Sequence, residues 1–215
     1  MTWFLDHLDV VWSRALQHSY LAGVPLVIGL LLALPLGWLA RRYPRLYAPF
    51  TAGFGLLYTI PSLALFVILP VILGTRALDP INVVVAMTLY TVALLVRTVA
   101  DALGSVPDHV QQAATAMGYT RVRRFFAIEL PLAVPVISAG LRVAAVSNVS
   151  IVSVGTIIGV NQLGLFFSDG FDRDFYDPLF VGIVACVVLA LLFDAVILLI
   201  TRLATPWVRA TGARA

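Results

Sequence analysis

Three groups of residues carry the chemistry open to this chain. The first is a polar, arginine-rich segment set between apolar stretches, with Gln112, Ala113 and Ala114 followed by Gly118, Arg121, Ile128, Leu130 and Pro131. Alanine and glutamine favour a short helix over 111–117, and Gly118 is placed to end it. Arginine heads beyond it can reach anionic lipid or acidic groups on a partner protein, which is the chemistry of docking rather than of bond-making. The second group is Thr59, Pro61, Ser62, Tyr90, Asn148 and Ser150, within otherwise apolar stretches. Such groups either face a polar pathway or satisfy local backbone and interhelical hydrogen bonds. The third is Arg142 and Asp194. At 1.5 Å per residue both lie roughly 14–15 Å from the same boundary of their spans. An unpaired charge at that depth is costly, so a structural ion pair is expected, with separate cavity-facing roles or snorkelling as the alternatives.

Several chemistries are missing. All 14 basic residues are arginine. A P-loop needs a lysine to reach nucleotide phosphates, so ATP and its magnesium are not expected on this chain. Schiff-base chemistry is excluded for the same reason. Cys186 is the single cysteine, and His7, His18 and His109 share no ligand spacing, so no disulfide within the chain and no metal site is expected. The sequon Asn148-Val149-Ser150 lies inside an apolar stretch, out of reach of glycosylation. No paired carboxylates and no Ser/His/Asp set occur in the apolar stretches, which argues against an enzyme.

These groups must be positioned by a membrane scaffold. The chain has 215 residues, 61% hydrophobic and 12% charged, with a mean hydropathy of +0.99. About 20 apolar residues are needed to cross the hydrocarbon core. Five crossings are expected, at about 18–40, 49–73, 80–100, 133–157 and 178–203, in one all-α polytopic domain spanning 1–215 with a polar loop over 101–131. The arginines sort by side. Arg41, Arg42, Arg45, Arg97, Arg121, Arg123, Arg124, Arg202, Arg209 and Arg214 face Arg14, Arg76 and Arg173 across the membrane, ten against three. The richer side is then cytoplasmic, with the N-terminus outside and the C-terminus inside, and nucleic acid is not an expected partner. Trp3, Leu5, Leu8, Trp12 and Leu16 could share one face of a helix lying on the membrane surface over the first 17 residues. No signal peptide is expected, because Asp6 and Asp9 stand where a basic region should be. Pro61 and Pro70 make the second span either a bent packing helix or a broken one lining a pathway. An apolar elbow is expected near 155–167, where Gly155, Gly159 and Gly164 permit bends.

The pattern Gln112-Ala113-Ala114, three residues, Gly118, nine residues, Ile128, then Leu130-Pro131 resembles the cytoplasmic loop of permease subunits in bacterial ABC importers. In that family the loop forms a coupling helix that docks on a separate ATPase, and it begins with glutamate. Gln112 keeps the length but replaces a charge-assisted contact with a neutral one. The segments Tyr58–Leu65, Met87–Thr98 and Leu26–Arg42 narrow the resemblance to osmoprotectant permeases of the glycine betaine/carnitine/choline type, over about residues 17–203. Two departures stand out: Thr98 where the family has asparagine, and Asn161-Gln162 within a glycine-rich segment. The resemblance implies a type I importer permease fold whose partners are ABC ATPase subunits, a second permease subunit, identical or related, and an external substrate-binding protein on another chain. The implied cargo is glycine betaine, choline, carnitine or proline. The rivals are an ABC permease for a different amino acid or amine, and a channel or secondary transporter that needs no ATPase.

Overall fold

The computed structural model describes residues 2–207, and every regular element among them is helical. In chain order these are α1 (Thr2–Asp6), α2 (Leu8–Arg42), α3 (Pro44–Thr59), α4 (Ser62–Leu73), α5 (Pro80–Gly104), α6 (Asp108–Ala116), α7 (Arg121–Arg124), α8 (Leu130–Ser153), α9 (Leu165–Asp172) and α10 (Tyr176–Ala204). A π-helical turn, Phe125–Glu129, joins α7 to α8, and a 3-10 turn, Val154–Ile158, follows α8. Four helical segments are long and apolar enough to cross a membrane: Leu8–Arg42, Pro80–Gly104, Arg121–Ile158 and Tyr176–Ala204. The fifth candidate is the pair α3 and α4, bent by 98° at their junction.

Of the two expected forms, bent or broken, the span is broken at Pro61. The proline lacks a donor and pushes Ile60 into extended backbone, φ −64° and ψ 129°, so α3 stops and a new helix starts at Ser62. Pro70, by contrast, sits inside α4. The N-terminal expectation also needs correction. Helix α2 runs unbroken through residue 17 for 35 residues, roughly 52 Å. That exceeds the roughly 30 Å hydrocarbon thickness, so residues 8–17 extend span one instead of forming a separate surface helix. No stop signal separates them from the apolar run, and Asp9 suits the positive end of the helix dipole. Trp3 leaves the apolar face on which Leu5, Leu8, Trp12 and Leu16 stay exposed. It stacks on His7 and meets Phe166 and Phe175 edge-on at 5.9 and 6.4 Å.

Helix α5 is the centre of the packing. Asp79 caps it by accepting from the Ile81 N–H at 3.0 Å, and Pro80 starts it where no donor is needed. Its neighbours approach through glycine. A Cβ on Gly29 of α2 would stand 2.4 Å from Thr91 Cγ2, and one on Gly140 of α8 would stand 2.4 Å from Thr98 Cγ2. Helices α2, α5 and α8 therefore form one tightly interlocked block. The core divides into one half around Leu21, Phe66, Met87, Val152 and Leu163 and another around Leu26, Leu95, Val99, Phe125 and Ala133. Helix α10 is apolar on most sides and the least buried of the long helices. Arg209 and Arg214, counted in the charge asymmetry, lie outside the described residues.

Candidate coupling site and translocation pathway

The polar loop is more ordered than its composition suggests. Residues 101–104 belong to α5, and the loop proper holds α6, α7 and the π-turn. Helix α6 presents Gln112 and Ala113 to solvent and buries Ala114. It ends in a Schellman motif: the Tyr119 N–H donates to the Ala114 carbonyl at 3.1 Å and the Gly118 N–H to that of Thr115 at 3.0 Å. Gly118 has φ +84°, and a Cβ there would meet nothing within 4 Å. The glycine thus serves the left-handed turn that ends α6, not a close approach of another element. Met117 and Arg121 are exposed, Ile128 and Leu130 are half-buried, and Pro131 stands in the first turn of α8, directly after the π-turn.

A link that the sequence reading missed ties this foot to the membrane. Arg124 Nε donates to Glu129 Oε1 at 2.6 Å, and its Nη1 donates to Thr115 Oγ1 at 2.9 Å. Glu129 is buried at the base of α8. Side chains five apart do not face each other on an α-helix, where neighbours are three and four apart. The π-turn at 125–129 changes that registry, with the Leu130 N–H donating to the Phe125 carbonyl five residues back.

The pathway candidates fall into separate places. The Tyr90 hydroxyl donates to the Ile60 carbonyl at the break between α3 and α4, so Tyr90 lies beside Thr59, Pro61 and Ser62. Tyr58 meets the Tyr90 ring edge-on at 5.6 Å. Asn148 is buried, donating to Thr91 Oγ1 at 3.0 Å and to the Ala22 carbonyl at 3.2 Å, and so bridges α8, α5 and α2. Tyr58, Tyr90, Ser147, Asn148 and Ile151 line one narrow crevice. Thr59 is exposed and donates to its own helix at Leu56. Ser150 is exposed too, about 200° around α8 from Asn148, so the structure does not bring it to the crevice.

Arg142 and Asp194 face each other from α8 and α10. Nε lies 2.6 Å from Oδ1 and Nη2 2.8 Å from Oδ2, a bidentate geometry. A second unanticipated cluster surrounds His18, which is fully buried in α2. Its Nε2 lies 2.9 Å from the Val149 carbonyl and its Nδ1 3.1 Å from Gln162 Oε1. Gln162 in turn donates to the Ser153 carbonyl at 3.0 Å and accepts from the Gly164 N–H at 2.5 Å. The elbow is thereby fastened to spans one and four. The signal was present in the sequence: Gln162 stands within the segment where the resembling family is glycine-rich.

Residues 26–209 match the profile of the binding-protein-dependent transport system inner membrane component. The chain belongs to that family. Membership makes this permease a transport component of the inner membrane rather than an enzyme. It works with a substrate-binding protein, and nucleotide hydrolysis falls to a separate ATPase subunit. The osmoprotectant import permease protein OsmW of Salmonella typhimurium is 31% identical over 194 residues, covering 89% of this permease and 90% of the relative. The glycine betaine/carnitine/choline transport system permease protein OpuCD of Bacillus subtilis is 29% identical over 163 residues, covering 76% and 70%. Among solved structures, an inward-facing MetNI methionine ABC transporter chain superposes with a TM-score of 0.83 at 22% identity, covering 93% of this permease and 98% of that chain. That likeness gives the fold, the all-α ABC importer permease fold expected from the sequence.

Proposed function

We propose that residues 1–215 act as one permease domain that passes an osmoprotectant through the membrane, driven by ATP hydrolysis on a docked partner. Glycine betaine, choline, carnitine and proline are the candidate cargoes. The observation that carries the cargo is the 31% identity to an osmoprotectant permease over nine-tenths of both chains. The observation that carries the coupling is a short helix, α6, stopped by a Schellman turn and braced to the base of α8 through Arg124. A braced helix transmits rigid-body displacement where a loose loop would absorb it. Gln112, Ala113 and Arg121 form its docking surface, Gly118 and the buried Ala114 make its turn, and Ile128, Leu130 and Pro131 anchor it to the span.

The arginine asymmetry supports a cytoplasmic foot, an external N-terminus and a cytoplasmic C-terminus. The least buried long helix, α10, supports a second permease subunit, identical or homologous, as well as lipid around this chain. Tyr90, Thr59, Pro61 and Ser62 at the helix break, with Asn148 behind them, are the candidate walls of an alternating-access pathway; Ser150 would join it only through a partner or a different state. Arg142 and Asp194 serve as a structural clamp between α8 and α10.

The test is reconstitution of the copurified complex in vesicles with its loaded binding protein. Labelled glycine betaine, choline, carnitine and proline should enter only with ATP. Entry without an ATPase would refute the coupling. Exclusive uptake of another amino acid or amine would refute the cargo but leave the importer class intact.

A further inference from the structure

One cavity lies at the inner end of span one, beside the Arg124–Glu129 brace. It measures about 250 Å³ and is lined by Trp38, Arg41 and Arg42 of α2, Gln111 of α6, and Arg121 and Arg124 with Glu129. Four guanidinium groups thus meet one carboxylate. Arg124 is bound to Glu129 at 2.6 Å, whereas Arg41, Arg42 and Arg121 form no ion pair among the described residues. Arg42 instead lies over the Trp38 and Tyr43 rings, at 5.7 and 5.4 Å. Like charges gathered around one hollow repel each other unless an anion joins them.

The depth of the cavity selects the anion. The uncharged run 19–40 measures roughly 33 Å as a helix, close to the roughly 30 Å of hydrocarbon. Arg41 and Arg42 therefore leave the bilayer at headgroup level, beside a tryptophan of the kind enriched there. We propose that this cavity holds the phosphate of an anionic phospholipid headgroup, wedged between the foot of span one and the start of the coupling helix. Arginine suits phosphate through paired N–H donors. A zwitterionic headgroup would bring its ammonium against the remaining guanidinium groups, so an amine-free headgroup is favoured. Because Gln111 and Arg124 also hold α6, through the Val106 carbonyl at 3.1 Å and Thr115 at 2.9 Å, the bound lipid would fix the angle of that helix against the membrane. This last consequence rests on the coupling role given to α6; the binding site does not.

Native mass spectrometry of the detergent-purified complex, titrated with phosphatidylglycerol or phosphatidylcholine, tests the site without reference to transport. One phosphatidylglycerol per permease should be retained selectively. Each basic residue near an anionic headgroup is worth about fivefold in affinity, so Arg41→Gln with Arg42→Gln should weaken retention about thirtyfold. Arg42→Lys, which keeps the charge, should stay within about fivefold of the parent and shows that the region still folds. Equal retention by parent and double variant would overturn the proposal, as would displacement of the lipid by millimolar inorganic phosphate, which would make the ligand a free anion. Failure of the ATPase to copurify would sink the coupling role while leaving the lipid result readable on the permease alone.

Discussion

The sharpest prediction concerns Gly118. Its φ of +84° is a conformation that side-chain-bearing residues adopt at a cost of about 1–2 kcal/mol, and asparagine at less. A Cβ at this position would touch nothing within 4 Å, so the cost is backbone cost alone and side-chain volume is irrelevant. Reverting to negative φ would break the two Schellman bonds, at 3.1 and 3.0 Å, and turn Tyr119 and α7 away from α6. The Arg124 contact to Thr115, at 2.9 Å, would be lost with them. A penalty of about 1–2 kcal/mol lowers the population of the braced foot roughly 5–30-fold. Uptake per ATP hydrolysed, measured in vesicles with the loaded binding protein, should therefore rank glycine, then Gly118→Asn, then Gly118→Ala, then Gly118→Val. Asparagine is larger than alanine, so the order separates conformation from size. A ranking by volume, with alanine above asparagine, would show that the exposed face of the turn packs against the ATPase and would refute the backbone account. Unchanged coupling in an assembled Gly118→Val complex would refute the role of the turn altogether.

Other perturbations read different parts of the same frame. Asp194→Leu or Arg142→Met alone should lower the thermal midpoint of the purified permease, while the two together should recover part of the loss; strictly additive losses would show that the two charges do not stabilise each other. His18→Ala, which deletes a buried ring that reaches Val149 and Gln162, should cost about 1–3 kcal/mol and loosen the elbow; an unaltered midpoint and unaltered proteolysis at 155–165 would dismiss the cluster as incidental. Gly140→Ala should destabilise by about 1–3 kcal/mol because its methyl would sit 2.4 Å from Thr98 Cγ2, and Thr98→Ser in the same chain should restore part of it. No restoration would mean that α5 and α8 separate by moving backbone instead.

Much of this architecture was legible in the sequence because apolar length and charge placement are one-dimensional signals. Runs of uncharged residues located the spans, and Gly118 after an alanine-rich stretch located the end of α6. Features that depend on two distant residues were less visible. Glu129 reaches Arg124 only because the backbone takes a π-turn, and no α-helical spacing rule pairs residues five apart. His18 carried no ligand pattern, and its partner Gln162 lies 144 residues away. Of the two readings open for hydroxyls in apolar runs, a polar pathway or a bond to their own backbone, Thr59 makes the second kind of bond, to Leu56. Arg142 and Asp194 were different. Each was too costly to leave alone at its depth, so the pairing could be argued from depth before any coordinate was known.

The polar contacts trace one line through an otherwise apolar molecule. It starts at Thr115 on the foot and passes through Arg124 and Glu129 to the base of α8. From α8 it branches at Arg142 to α10, at Asn148 to Thr91 and Ala22, and at Val149 and Ser153 to His18 and Gln162. Helix α8 is therefore tied by directional bonds to the foot, α10, α5, span one and the elbow, and it approaches α5 closely at Gly140. Directional bonds resist sliding, whereas apolar surfaces slide past one another at little cost. On the proposed coupling role of α6, a push at the foot would travel up α8 and reach α10, span one and the elbow together. Helices α3 and α4 lie outside this bonded line and are tied instead to α5, by Tyr47 to Asp101 at 2.5 Å, by Tyr90 to Ile60 at their break, and by Thr75, just past α4, to Asn82 at 2.6 Å. Displacement along α8 should thus appear as relative motion at Ile60 and Pro61, where the backbone is already extended between two helices. Opening of the proposed pathway at this break would leave the bonded block around α8 intact.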